Sequence, residues 1–184
     1  MNFLDPPKDY SSENSYFMVV PCPVEGDLTY GGGARKGPSE IIKASKHLEY
    51  YDMETDTEPY LYGIQTVDPV TLEDSNQLII RKETFPLFLG GDHSITIPIC
   101  QTLSPNIDVV ILDAHPDMRY SWNGSKHNHA CVTRQVSSKR NVHVAGIRTS
   151  DIDEKKAIEE SSNVSVSHAH HDSSYPAITS DTIH

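Results

Sequence analysis

Runs of consecutive apolar residues alternate along the chain with segments whose apolar positions recur every three or four residues. The first pattern predicts strands buried on both faces, and the second predicts amphipathic helices. "YFMVVPCP" (residues 16–23) reads as a buried strand stopped by prolines. "PLFLGG" (86–91), "DVVIL" (108–112) and "VHVAGI" (142–147) read the same way, and "NVSVSH" (163–168) alternates like a strand. "PYLYGI" (59–64) predicts one more short strand. Helical spacing marks residues 38–52, where Pro38 suits a first turn and Ile41, Ile42, Ser45 and Leu48 share a face. Residues 71–83, 94–103 and 153–161 predict further helices, the second of them despite Pro98 and its β-branched residues. "YGGGARKG" (30–37) is a glycine-rich loop. Strands interleaved with helices predict an α/β fold with a mostly parallel sheet covered on both faces. Ligands in such sheets bind at the carboxyl ends of the strands.

Composition narrows the function without deciding it. The 184 residues suit a single domain, able to bury roughly 70% of its unfolded surface. The net charge of -11, with 26 acidic residues against 15 Lys and Arg, argues against nucleic acid as a partner. A small cationic substrate is compatible with it. Cys22, Cys100 and Cys131 are odd in number and form no CxxC pair, as expected of reduced thiols in a cytoplasmic protein. The start "MNFLDPPKDYSS" lacks the basic, then apolar, pattern of a signal peptide, and no apolar run approaches the ~18 residues of a membrane helix.

Chemistry concentrates at two strand ends. In "LGGDHS" (89–94), glycines permit a tight turn with Asp92 and His93 at its tip. In "VVILDAHPDMRY" (109–120), four apolar residues run into Asp113, His115 and Asp117. Alternate residues of an extended chain point the same way, roughly 6.6 Å apart, so these three can converge as the chain leaves the sheet. Pro116 stops the strand from continuing. Two imidazoles and two carboxylates suit a borderline-hard divalent cation such as Mn²⁺, and a carboxylate can bridge two of them. An isolated His-x-Asp pair would be read as satisfied polar residues; two such motifs at consecutive strand ends favour metal chemistry.

As a set, these motifs resemble the ureohydrolases, the family of arginases and agmatinases. "GGDHS" is similar to that family's first metal signature and "DAHPD" to its second. "EGDLTYGGGARKGPSEI" (25–41), "HNHACVTRQV" (127–136) and "VHVAGIR" (142–148) are similar to further family segments, and they look more agmatinase-like than arginase-like. The resemblance implies a three-layer α/β/α fold with a di-manganese centre. It implies that His93 and Asp117 hold one metal, that His115 holds the other and that Asp113 bridges them. A metal-bridging hydroxide would then attack the guanidinium carbon, with Asp117 managing its proton and His129 shuttling a proton to the leaving amine. Agmatine would give putrescine and urea, a step of polyamine biosynthesis. Arginine, guanidinobutyrate and formiminoglutamate are the alternative substrates. The family commonly assembles as homo-oligomers, trimers or hexamers.

The family's third signature, "S-x-D-x-D-x-x-D-P", has no counterpart here. "TSDID" (149–153) stands too early and follows the wrong strand, although its Asp151 is a candidate contact to a substrate amine. "SDTIH" (180–184) looks like the lead-in to the missing strand. The expectation is one incomplete ureohydrolase domain over 1–184, lacking C-terminal strands and two anionic ligands. Such a chain is expected to bind metal weakly, to expose an apolar edge and to be poorly active alone, or to act as a non-catalytic fragment assembling with intact subunits. "HAHHD" (168–172) is read as an exposed loop, His47 as a helix-surface residue and Cys131 as a buried packing residue.

Overall fold

The computed structural model describes residues 1–26, 28–71, 80–104 and 106–169. Its backbone divides into two compact units, residues 1–95 and 96–184.

The first unit is built on three parallel strands in the order β2-β1-β3. β1 spans Phe17–Cys22, β2 Ile64–Thr66 and β3 Phe85–Gly90. Phe17 is level with Ile64 on one side and Phe85 on the other. As its unbroken apolar run predicts, β1 is buried from Met18 to Cys22. Helix α1, Gly37–Ser45, carries Pro38 in its first turn and buries Pro38, Ile42 and Ser45. It is shorter than the predicted 38–52. The Ser45 hydroxyl donates back to Ile42 O and accepts the Leu4 amide, both at 2.8 Å, and the chain tightens into i-to-i-3 bonds beyond it. Ile41, within the helix, and Leu48, beyond it, are both exposed, and His47 lies in the turn after the helix.

Residues 59–64 also differ from expectation. Pro59–Tyr62 form a 3-10 turn, and only Ile64 enters β2. Aromatic packing decides this: Tyr60 meets Tyr10 edge-on at 5.3 Å and Tyr50 at 4.4 Å between ring centroids. Of the helix predicted over 71–83, residues 72–79 lie outside the described residues, and 80–83 are not helical.

The second unit is a parallel sheet in chain order, β4-β5-β6. β4 spans Val109–Leu112, β5 Val142–Ile147 and β6 Val164–His168. Helices α2 (Thr96–Thr102), α3 (Val132–Ser137) and α4 (Ile152–Glu159) alternate with them. Pro98 is tolerated because it falls in the first turn of α2, where an amide has no helical partner. The core joins Ile97 and Cys100 of α2, Val132 and Val136 of α3, and Val109, Ile111, Val142, Val144 and Ile147 of the sheet. The guanidinium of buried Arg140 caps α2, donating to the carbonyls of Cys100 at 2.6 Å, Ser104 at 3.1 Å and Leu103 at 3.4 Å.

Burial on both faces holds for β5, whose residues are all buried except Gly146. It fails for β3 and β4: Phe85, Leu87 and Leu112 are 50, 41 and 79% exposed. Apolar runs there fill one face only. The three cysteines are buried free thiols, and burial pushes those of Cys22 and Cys100 up to about 11. Among the described residues no helix is long and apolar enough to cross a membrane.

Candidate metal centre

β3 delivers His93. Beyond its last residue, Gly91 donates its amide to Cys22 O at 3.0 Å and Asp92 donates to Val24 O at 3.1 Å. A Cβ at Gly91 would stand 1.8 Å from Val24 O, so only glycine lets the two segments approach this closely. Asp92 does not present a free carboxylate. Its Oδ2 accepts the Gly26 amide at 2.7 Å and its Oδ1 the Ser94 amide at 2.8 Å. Asp92 therefore ties the loop after β1 to the turn His93–Ile95, and His93 opens that turn half-buried. Glu25 organises the glycine-rich loop in a similar way. Its Oε2 accepts the amides of Gly33 at 2.6 Å and Arg35 at 3.1 Å, and the Arg35 amide foremost holds its carboxyl below the usual carboxylate range.

β4 delivers Asp113, His115 and Asp117. The Asp113 amide still pairs with Ala145 O at 3.0 Å, so its position is set by the sheet. Its Oδ1 accepts the His115 amide at 2.8 Å and lies 3.3 Å from His115 Nδ1. The strand ends at Leu112, before the fully buried Pro116 expected to stop it. Asp117 then adopts φ +49°, a left-handed conformation that aspartate and asparagine enter more often than other residues with side chains, and is only 8% exposed. Carboxylate oxygens of Asp113 and Asp117 lie within 4.8 Å of one another. Carboxylate oxygens at this separation are close enough to share one cation. Carboxylate and imidazole donors together fit a divalent cation of intermediate hardness.

His129 opens the 3-10 turn His129–Cys131, whose N-cap Asn128 accepts the Ala130 amide at 3.1 Å. Its half-buried ring lies 6.5 Å from that of Trp122. Cys131 is fully buried, and its thiol is pushed up by burial first and then by the charge of Asp117. Asp151 is the N-cap of α4. Its Oδ1 accepts the amides of Asp153 at 3.0 Å and Glu154 at 2.8 Å, while Oδ2 pairs with Arg119 at 2.6 Å. Sequence reasoning missed Glu154, although the "DIDE" spacing of a capping box is visible. Of the histidine tract 168–172, only residues 168 and 169 are described, and His168 ends β6.

Parallel strands with acids and imidazoles at their carboxyl ends define an α/β protein with a site suited to hydrolytic metal chemistry. The arginase-family model matches residues 15–179, and the chain belongs to the arginase family. The agmatinase of Pyrococcus horikoshii is 33% identical over 149 residues, 72% of this chain and 52% of that protein. The N(1)-aminopropylagmatine ureohydrolase of Synechocystis is 34% identical over 157 residues, 73% of this chain and 51% of that protein. The crystal structure of agmatine ureohydrolase of Thermoplasma volcanium superimposes with a TM-score of 0.71 at 27% identity, covering 84% of this chain and 57% of that one. The fold is thus arginase-like, as the motifs implied. The chain spans about half the length of the curated relatives it matches.

Proposed function

We propose that this protein is a manganese-dependent amidinohydrolase that converts agmatine into putrescine and urea in the cytoplasm. The observation that carries this reading is the approach of Asp113 and Asp117 at the end of β4 in a member of the arginase family. In this reading His93, Asp113, His115 and Asp117 would hold the metals.

A guanidinium is resonance-stabilised and a poor electrophile, so water must be activated. Bound divalent cations supply hydroxide at neutral pH by lowering the pKa of water. The residues do the rest. Asp117, held rigidly by its backbone, accepts the proton of the attacking water. His129 passes a proton to the departing amine. Water and the guanidinium carbon then yield urea and a free amine. Residues 1–184 act as one domain of a homo-oligomer, a trimer or hexamer by family resemblance. Buried free thiols support a reducing compartment, and the net charge of -11 supports a cationic substrate.

The test is urea release from agmatine with Mn²⁺ and without metal. N(1)-aminopropylagmatine, arginine and guanidinobutyrate run in parallel, and formamide release is followed from formiminoglutamate. Weak Mn²⁺-dependent urea release from agmatine, abolished in D117N, is expected of a chain that lacks the family's third signature. Preference for aminopropylagmatine would replace the substrate and keep the chemistry. A folded, Mn²⁺-supplemented protein that cleaves none of the five would overturn the reading.

A further inference from the structure

The third residue of a capping box has a local task, accepting the amide of the N-cap, and an acidic residue doing only that can stay in solvent. Glu154 is instead 7% exposed. Its Oε2 closes the box, accepting the Asp151 amide at 3.4 Å. Its Oε1 reaches 36 positions back along the chain and accepts the Met118 amide at 3.1 Å. The carbonyl of the same peptide, Asp117 O, accepts the Arg134 amide at 3.4 Å. One peptide unit is therefore held from both sides, its C=O by α3 and its N–H by the first turn of α4. Arg134 adds a guanidinium bond from Nη1 to Met118 O at 3.2 Å.

This clamp falls where the backbone needs one. Asp117 stands in the left-handed region, which aspartate enters more readily than most residues but still at a cost that surrounding bonds can offset. Holding the 117–118 peptide from both sides fixes the place of the Asp117 Cα, and with it the base from which the Asp117 carboxylate extends. Burying a carboxylate is unfavourable unless its oxygens are hydrogen-bonded, and the Met118 amide gives Glu154 a reason to be buried that helix capping does not.

We propose that Glu154 is a positioning residue. By holding the Asp117–Met118 peptide, it aims the Asp117 carboxylate at the metal without touching metal or substrate. This rests on the assignment of Asp117 as a metal ligand made above. Groups that orient a ligand commonly change metal affinity about 10- to 100-fold when removed.

The experiment compares wild type, E154Q and E154M by Mn²⁺ titration, reading free Mn²⁺ by electron paramagnetic resonance, with a thermal melt of each. Glutamine keeps an oxygen acceptor for Met118 and loses the carboxylate that closes the capping box. Methionine keeps the bulk and removes both bonds. Expected is a Mn²⁺ dissociation constant raised about tenfold or more in E154M and within about threefold of wild type in E154Q. The Met118 amide should exchange slowly with deuterium in wild type and E154Q. Cooperatively melting E154M with wild-type Mn²⁺ affinity overturns the proposal. So does equal weakening in E154Q, because the acceptor is retained there. Fast exchange at Met118 in wild type overturns it too, and that measurement decides even if E154M does not fold. Wild type that takes up no Mn²⁺ defeats the metal assignment itself, before any variant is compared.

Discussion

Arg119 and Asp151 meet at 2.6 Å, joining the loop that follows β4 to the N-cap of α4. Arg119 also lies 5.1 Å from the centre of the Trp122 ring, and Trp122 neighbours His129. Asp151 thus serves as helix cap and ion-pair partner at once, and both of its oxygens are engaged.

D151A should therefore act on stability. Loss of an N-cap costs about 1 kcal/mol. The side chains of the ion pair are 39% and 37% exposed, so screening by water reduces its share to a few tenths of a kcal/mol. Urea denaturation should show a loss of about 1–1.5 kcal/mol in all, most of it restored in D151N, whose amide oxygen can still cap. Unchanged stability with a raised KM for agmatine would instead place Asp151 at the substrate amine.

Gly91 should tolerate no side chain. A methyl group there meets Val24 O at 1.8 Å, a collision only backbone displacement can relieve. G91A should lose about 3 kcal/mol or more, or fail to accumulate as folded protein. G32A is the control: its added methyl would lie 3.6 Å from Glu25 Oε1, ordinary contact, and should change stability by less than about 1 kcal/mol. Chemical denaturation of the two variants tests the contrast.

His143 should make the protein sensitive to mild acid. It is buried in β5, with Nδ1 2.8 Å from the Ser165 hydroxyl and Nε2 3.1 Å from that of Ser167. Burial lowers its pKa below the ordinary 6.5. The unfolded chain then binds this proton more readily than the folded one. The stabilisation is complete above about pH 6.5 and is lost as the pH falls through that value toward the lower folded pKa. Thermal melts across this range should decline more steeply for wild type than for H143Q, which cannot take up the proton. Parallel profiles would rule this histidine out as the cause.

Much of the strand framework could be read from consecutive apolar residues. β5 begins and ends where "VHVAGI" does, and β1 and β3 lie within a residue or so of their apolar runs. What escaped were decisions made by single side chains. The Ser45 hydroxyl ends α1 early, and rings around Tyr60 turn 59–62 into a 3-10 turn, because neither contact leaves a periodic trace. At the site, the Asp-x-His-x-Asp spacing singled out the residues, but β4 ends at Leu112 and Asp117 is left-handed, so extended-chain alternation does not describe how Asp113 and Asp117 approach. Glu154 was not singled out. A capping-box pattern announces the bond to Asp151, but the bond to Met118 depends on how a loop 36 positions away is folded.

Sheet order bears on how each unit assembles during synthesis. In the second unit every strand pairs with the one made just before it: Val109 lies beside Val142, and Val142 beside Val164. Each addition closes a short loop, the arrangement that folds fast and locally. In the first unit the central strand comes first and both neighbours come later. Phe17 waits for Phe85, 68 positions on, with bare edges in the meantime. The half that carries His93 therefore has the longer exposure to misassembly on the ribosome, and the half that carries Asp113 and Asp117 can pair its strands as they emerge.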